Sequence, residues 1–478
     1  MLKDITTLLN LAWPVIISRI GIIALSVTDT IMVGQYASAH LAYLGIGLVP
    51  SNIAIVILLG LLMGSSVLVS RAYGAGDKTR AGQIWMMSLM WSFLLGIAAL
   101  IFCAFGEEFL RVFGQPEEIA LNGGAVSLIA GLGLPFSALY MTTSFFLEGA
   151  RNPRPVMVIM IAANIINIFA SYVLVYGVYG FPELGAIGSI WASFIIRLFM
   201  LVAILYYLFT WFDYKSYGIS WQAIRHWLRQ WFSTRDYRDV GYASGLSIGL
   251  ENLAFNTLAL FAGMLGLMVA AAHTITITIY IVFYMAGLGL GVATSVNIGN
   301  AYGAGDMRMV KRWAQIGMVI IALASAPSVV VMIFWAEDIA RLFNRDAQVV
   351  ALAAALVSYS ALALMFDAAQ SCLSMSLRAI GDNWFPSYAH TIIYLLLMLP
   401  ITYVLMFPLE RGAFGLIEGL YIGTALPLVA MAWRYHHIMK SLNVAPKKDP
   451  PKKDPPKKDP PKKDPPKKDP PKKDPPKK

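Results

Sequence analysis

The sequence predicts an all-α polytopic membrane protein: twelve transmembrane helices in two pseudo-symmetric six-helix bundles, arranged as a parallel repeat around a central cleft. Composition is the first reason, since 58% of residues are hydrophobic, 13% are charged, and apolar runs long enough to cross a bilayer recur along the chain. The second is a duplication. Ala72-Tyr73-Gly74-Ala75-Gly76-Asp77 returns unchanged as Ala301-Tyr302-Gly303-Ala304-Gly305-Asp306, a spacing of 229 residues. Each copy follows a long apolar segment and precedes a basic one, and downstream Glu107-Glu108-Phe109-Leu110-Arg111-Val112-Phe113 parallels Glu337-Asp338-Ile339-Ala340-Arg341-Leu342-Phe343.

The spans fall near 10–34, 44–70, 84–105, 124–147, 155–178, 186–210, 239–262, 272–297, 314–335, 348–376, 385–408 and 414–437. Six spans per half insert both copies the same way up, so the bundles are related by an axis along the membrane normal. The expected units are an N-terminal bundle (1–210), a cytoplasmic amphipathic linker (211–238), a C-terminal bundle (239–440) and a disordered Lys/Pro/Asp tail (441–478). In the linker, Ile224, Trp227, Leu228, Trp231 and Phe232 share one helical face, opposite Arg225, His226, Arg229 and Gln230. That pattern suits a helix lying in the membrane surface, or a partner-docking helix. Repeated halves in a membrane protein usually mean a transporter, with its path in the cleft.

Positively charged loops stay cytoplasmic. Arg71, Lys78, Arg80, Arg151, Arg308, Lys311, Arg312, Arg378 and others fall on one side, against Arg111, Arg341, Arg345 and Arg411 on the other. Both termini and both YGAGD loops are therefore expected on the cytoplasmic side of a multi-pass protein of a bacterial inner membrane, with no cleavable signal. The net charge of +10 carries no nucleic-acid signal. The KKDPP repeats of residues 447–478 hold 14 Lys and 6 Asp, which leaves only +2 for the rest of the chain. Such a tail is solvated and extended, whether it touches anionic headgroups or is a passive extension. Cys103 and Cys372, both in apolar segments, suggest neither a disulfide framework nor a metal cluster.

Charges inside spans carry the functional information, because each is costly in hydrocarbon unless paired, hydrated or neutralised. Asp29 lies in the first span, Glu251 in the seventh, Asp367 in the tenth and Glu418 in the twelfth, with Arg19 and Arg197 as cations. Glu251 and Asp367 share one bundle, near mid-depth. Carboxylate oxygens bind Na⁺ directly, and two carboxylates close together can instead hold a proton, so the pair suits either coupling ion. Carboxylates so placed can also do no more than satisfy neighbouring backbone or Asn groups, which is the expectation for Glu418 near its span end. Asp29, in the other half, suits an organic cation or a proton-linked release step. Asn164 and Asn167, one turn apart in the fifth span, either line the same cavity or bond between helices. The aromatics and 23 Met residues offer adaptable walls for flat cations.

Taken together, these residues resemble the multidrug and toxic compound extrusion family, in its NorM-like branch. The resemblance covers residues 1–440 and rests on five stretches: Thr28-Asp29-Thr30-Ile31-Met32-Val33-Gly34; the twin YGAGD loops; Gly249-Leu250-Glu251-Asn252; Phe366-Asp367-Ala368-Ala369-Gln370; and Leu377-Arg378-Ala379-Ile380-Gly381-Asp382. It implies a coupling-cation site around Glu251 and Asp367, a functional carboxylate at Asp29, and export of organic cations in exchange for Na⁺ or H⁺ by alternating access. No cofactor is implied, and each chain holds a complete pathway, so a monomer is expected to function. Two positions depart from the pattern. Leu147-Glu148-Gly149-Ala150-Arg151-Asn152 stands where the first half would carry an Arg-Gly-Asp-like loop. Arg19 is an unexpected charge, read as snorkelling to the inner surface rather than pairing with a cleft carboxylate.

A flippase for a lipid-linked or amphipathic substrate is the alternative on the same fold, and it calls for a more cationic cavity than this acidic set. An enzyme is not expected. No HExxH, DxxxD or GxSxG constellation is present, and the YGAGD loops lack the strand and Lys of a phosphate-binding loop. Pro14, Pro135, Pro327 and Pro400 mark places where spans bend.

Overall fold

The computed structural model describes residues 2–220, 235–344 and 346–444. The amphipathic face expected at Ile224–Phe232 and the tail repeats lie outside the described residues. Twelve helices among the described residues are long and apolar enough to cross a membrane: α1 (Lys3–Tyr36), α2 (Ala39–Gly74), α3 (Lys78–Ala104), α4 (Glu117–Gly149), α5 (Arg154–Tyr176), α6 (Ala186–Thr210), α7 (Arg235–Met264), α8 (Leu267–Gly303), α9 (Met307–Phe334), α10 (Ala347–Ala379), α11 (Trp384–Met406) and α12 (Ala413–Ser441). Several run well past their sequence-based limits. At 37 residues, α8 is about 55 Å long by helical rise, beyond what a bilayer core needs, so its ends stand clear of it.

The YGAGD repeats are helix stops that lead straight into helix starts. Gly76 and Gly305 take φ of 77° and 74°, a left-handed turn that glycine enters without a Cβ clash. Asp77 N–H then bonds the Ala72 carbonyl and Asp306 N–H the Ala301 carbonyl, both at 3.0 Å, closing the same C-terminal turn twice. The Asp side chains cap α3 and α9: Asp77 accepts from Arg80 N–H at 2.8 Å, and Asp306 from Arg308 and Met309 N–H at 3.1 Å. At the opposite ends of the spans, the short helices Gly106–Val112 and Ala336–Arg341 carry matching ion pairs four residues apart, Glu107–Arg111 and Glu337–Arg341.

The bundles meet through glycines on a pseudo-twofold axis. A Cβ on Gly74 would fall 2.0 Å from the Asn300 carbonyl oxygen, and one on Gly303 1.9 Å from that of Arg71. These contacts are reciprocal, because 300 and 303 are the repeat counterparts of 71 and 74. Deeper into the fold the pattern returns: Gly60 lies against Gly245, and Gly289 against Ile16, their counterparts. Small residues let backbones approach closely enough for dispersion to hold helices in lipid. An apolar core of Leu8, Leu11, Ala12 and Val15 with Leu290, Val292 and Ala293 crosses between the bundles at this level. Farther from the turns the cores separate, with Val33, Leu44, Val126 and Ile190 in one bundle and Ala254, Leu258, Tyr394 and Leu416 in the other. At the turns themselves, a cavity of about 970 Å³ lies between the bundles, lined by Arg71, Asp77, Asp236, Tyr302 and Asn383.

Residues just before the undescribed stretch fold back on the first bundle, with Tyr217 and Ile219 buried beside Phe146. Of the four prolines, Pro14 and Pro327 sit inside continuous helix. Pro135 follows the interruption of α4 at Gly133, and Pro400 follows a π-helical stretch, Thr391–Met398, in α11. Arg19 does not snorkel. It is held by Glu148 of α4 at 3.1 Å, with side-chain exposures of 13% and 1%, and its guanidinium lies 5.7 Å from the Phe145 ring. The buried carboxylate offers more than the route to the surface, where the side chain would have to leave its packing.

Candidate functional site

In the second bundle, polar residues of α10 fall at i, i+3, i+4, i+7 and i+11: Asp367, Gln370, Ser371, Ser374 and Arg378. On a helix these line one face. Asp367 is 2% exposed and accepts hydrogen bonds from Tyr280 Oη of α8 and Gln370 Nε2, both at 3.0 Å. Gln370 Oε1 lies 3.1 Å from His390 Nε2 of α11, and His390 Nδ1 contacts Ser247 Oγ of α7. Tyr284 of α8 bonds Ser371 at 2.6 Å, and Tyr394 stacks on His390 with centroids 5.0 Å apart. The π-helical stretch of α11 begins directly after His390, and it carries Tyr394.

Glu251 stands one turn from Ser247 on α7, partly buried, within electrostatic range of both Asp367 and Arg378. Arg378 is 3% exposed; its Nη1 donates to Ser374 Oγ at 2.7 Å. The sequence placed Arg378 among the loop cations, but α10 continues through it and its side chain turns inward. The structure thus brings Glu251 and Asp367 into one neighbourhood, walled by the hydroxyls of Tyr280, Tyr284, Tyr394 and Ser371. Oxygen donors around two carboxylates suit a hard monovalent cation or a proton.

Asp29 belongs to a separate cluster inside the first bundle. It is 6% exposed, and its carboxylate accepts from Asn167 Nδ2 at 3.1 Å, Ser171 Oγ at 3.0 Å and Ser193 Oγ at 2.7 Å. These donors come from α5 and α6. Asn164 does not reach it; Nδ2 bonds the Gly21 carbonyl at 3.1 Å and the Met160 carbonyl at 2.9 Å, tying α5 to α1. Arg197 of α6, within electrostatic range of Asp29, donates to the Ala130 carbonyl at 2.7 Å where α4 is interrupted. Glu418 accepts from Arg411 Nε at 3.0 Å in a partly exposed pair at its span end.

Sequence reasoning passed over Tyr280, Gln370, His390, Ser247 and the inward turn of Arg378. The polar spacing along α10 is the signal that points to them.

A family model described as MatE matches residues 14–173 and 243–404. A probable multidrug resistance protein NorM of Caulobacter vibrioides is 29% identical over 436 residues, spanning 91% of this chain and 92% of that protein. The multidrug resistance protein PmpM of Pseudomonas aeruginosa is 28% identical over 433 residues, spanning 88% of each. Among solved structures, a eukaryotic MATE transporter superposes with a TM-score of 0.83 at 20% identity, covering 92% of this chain and 98% of that one. An outward-facing multidrug resistance MATE family transporter gives a TM-score of 0.83 at 20% identity, covering 92% and 97%.

Proposed function

Because the chain belongs to the MatE family, we propose that it is a multidrug antiporter, not an enzyme, exporting small organic cations in exchange for Na⁺ or H⁺. The observation that carries this reading is the second-bundle neighbourhood of Glu251 and Asp367, with tyrosine, serine and glutamine groups around it. The names of the curated relatives favour efflux over a flippase. The excess of Lys and Arg near the YGAGD turns supports a cytoplasmic location for that side and for both termini, in a bacterial inner membrane.

In the proposed cycle the external cation enters from the cleft and is held by Glu251 and Asp367. Their repulsion is relieved, and α7, α8, α10 and α11 repack through the Asp367–Gln370–His390–Ser247 chain. Differential affinity of the two ligands for outward and inward states then drives exchange. Asp29, held by Asn167, is the proposed substrate- or proton-linked group of the first bundle, while Asn164 positions α5 against α1. A single chain supplies both sites and works as a monomer among membrane lipids.

The test is dye efflux from proteoliposomes loaded with an ethidium-like cation at clamped potential. Inward Na⁺ and inward proton gradients are compared for wild type and Asp367→Asn. Efflux driven by one gradient and lost in the variant is expected and identifies the ion; folded protein that moves dye under neither gradient overturns the reading.

A further inference from the structure

Arg378 is buried deeper than helix capping requires. The carbonyls of Arg378 and Ala379 at the end of α10 already accept from the Arg71 guanidinium, through Nη2 and through Nε at 2.9 Å. The Arg378 side chain turns back along α10, toward Ser374 and the Asp367 end, and leaves Nε and Nη2 buried without hydrogen-bond partners. Unpaired buried donors on a charged group are costly, and a guanidinium stays protonated in proteins. The charged and titratable groups facing this neighbourhood are Glu251 from α7, Tyr280 and Tyr284 from α8, Asp367 from α10, and His390 and Tyr394 from α11; Arg71 of α2 lies on the carbonyl side of Arg378, where its charge faces Asp236 and Tyr302. His390 has neutral partners on both ring nitrogens. Two carboxylates and one fixed guanidinium leave one negative charge uncompensated.

We propose that Arg378 is the built-in counter-cation of the second-bundle site: it offsets one of the two carboxylate charges and so sets the site for a single monovalent cation, Na⁺ or a proton. The proposal rests on the cation-site reading above.

The test counts bound charge on the purified full-length protein, by ²²Na⁺ binding and, in Na⁺-free buffer, by proton binding relative to Glu251→Gln/Asp367→Asn. Wild type is expected to bind one charge and Glu251→Gln none. Arg378→Gln should bind about tenfold more tightly and approach two charges. Arg378→Lys should match wild type, and Glu251→Gln/Arg378→Gln should regain one. If Arg378→Gln does not fold, the last two variants decide. Arg378→Gln identical to wild type, or a folded double variant that regains nothing, overturns the counter-cation role alone. Wild type that binds neither ion, or binding indifferent to Glu251→Gln and Asp367→Asn, overturns the cation site and this role with it.

Discussion

The two bundles share a backbone plan but place opposite charges on it. In the first, the cation Arg19 is on the opening helix α1 and the carboxylate Glu148 on α4; the pair is closed at 3.1 Å. In the second, the carboxylate Glu251 is on the opening helix α7 and the cation Arg378 on α10, in electrostatic range, with two guanidinium nitrogens unpaired. The repeat counterpart of Arg19 is Ile248, whereas past the one-residue shift seen between Glu107 and Glu337 that of Glu148 is Arg378, so one repeat position carries opposite charges in the two bundles. The Arg19–Glu148 pair of the first bundle is spent on itself and fixes α1 against α4. The second leaves a carboxylate without a bound cation partner of its own, which is the condition for an ion to enter and leave.

The largest effect should come from deleting one carboxylate in each bundle. Glu148→Gln strands a buried guanidinium and should cost about 3–5 kcal/mol, read as a lowered unfolding midpoint in detergent. Glu251→Gln still leaves Arg378 facing one carboxylate, Asp367, so no guanidinium is stranded and its midpoint should stay at or above that of wild type while the cation response is lost. Equal destabilisation by both would erase the contrast between the bundles. Next, Gly74→Ala and Gly303→Ala each drive a methyl into a facing carbonyl, and both should destabilise the contact between the bundles at the YGAGD turns by about 1–3 kcal/mol. Cysteines introduced beside the turns should label faster in both variants; labelling that rises in only one would show that the axis does not govern closure. The smallest effect belongs to the turn caps. Asp77→Ala and Asp306→Ala should each lose about 1 kcal/mol, measurable as equal shifts in the unfolding midpoint.

The fold was legible along the chain because each lipid-facing span must satisfy its own backbone, which forces long apolar runs between charged ends. The YGAGD turn was equally readable, since Gly76 and Asp77 are the residue types that a left-handed stop and a helix start require. What stayed hidden is rotation and reach. Asn164 and Asn167 differ by about 60° around α5, and nothing along the chain says which one faces Asp29. Serines such as Ser171 and Ser193 are too common in spans to stand out as donors. Glu148 read as part of a loop motif, which concealed the partner of Arg19. Arg378 read as a loop cation because its apolar run ends nearby, although a long side chain can turn either way from one Cα.

The reciprocal contact of Gly74 with Asn300 and Gly303 with Arg71 is what two identical subunits make across a twofold axis, where every substitution appears twice. Fusion into a single chain removes that obligation. Arginine can stand at 71 while asparagine stands at 300, so that one side alone reaches the end of α10. The same freedom lets a carboxylate arise at 251 without a second copy at 22, where this chain has Ile22. Symmetric hardware for rocking and a one-sided cargo site are thus compatible only because the halves became covalently one, and each could change without its twin.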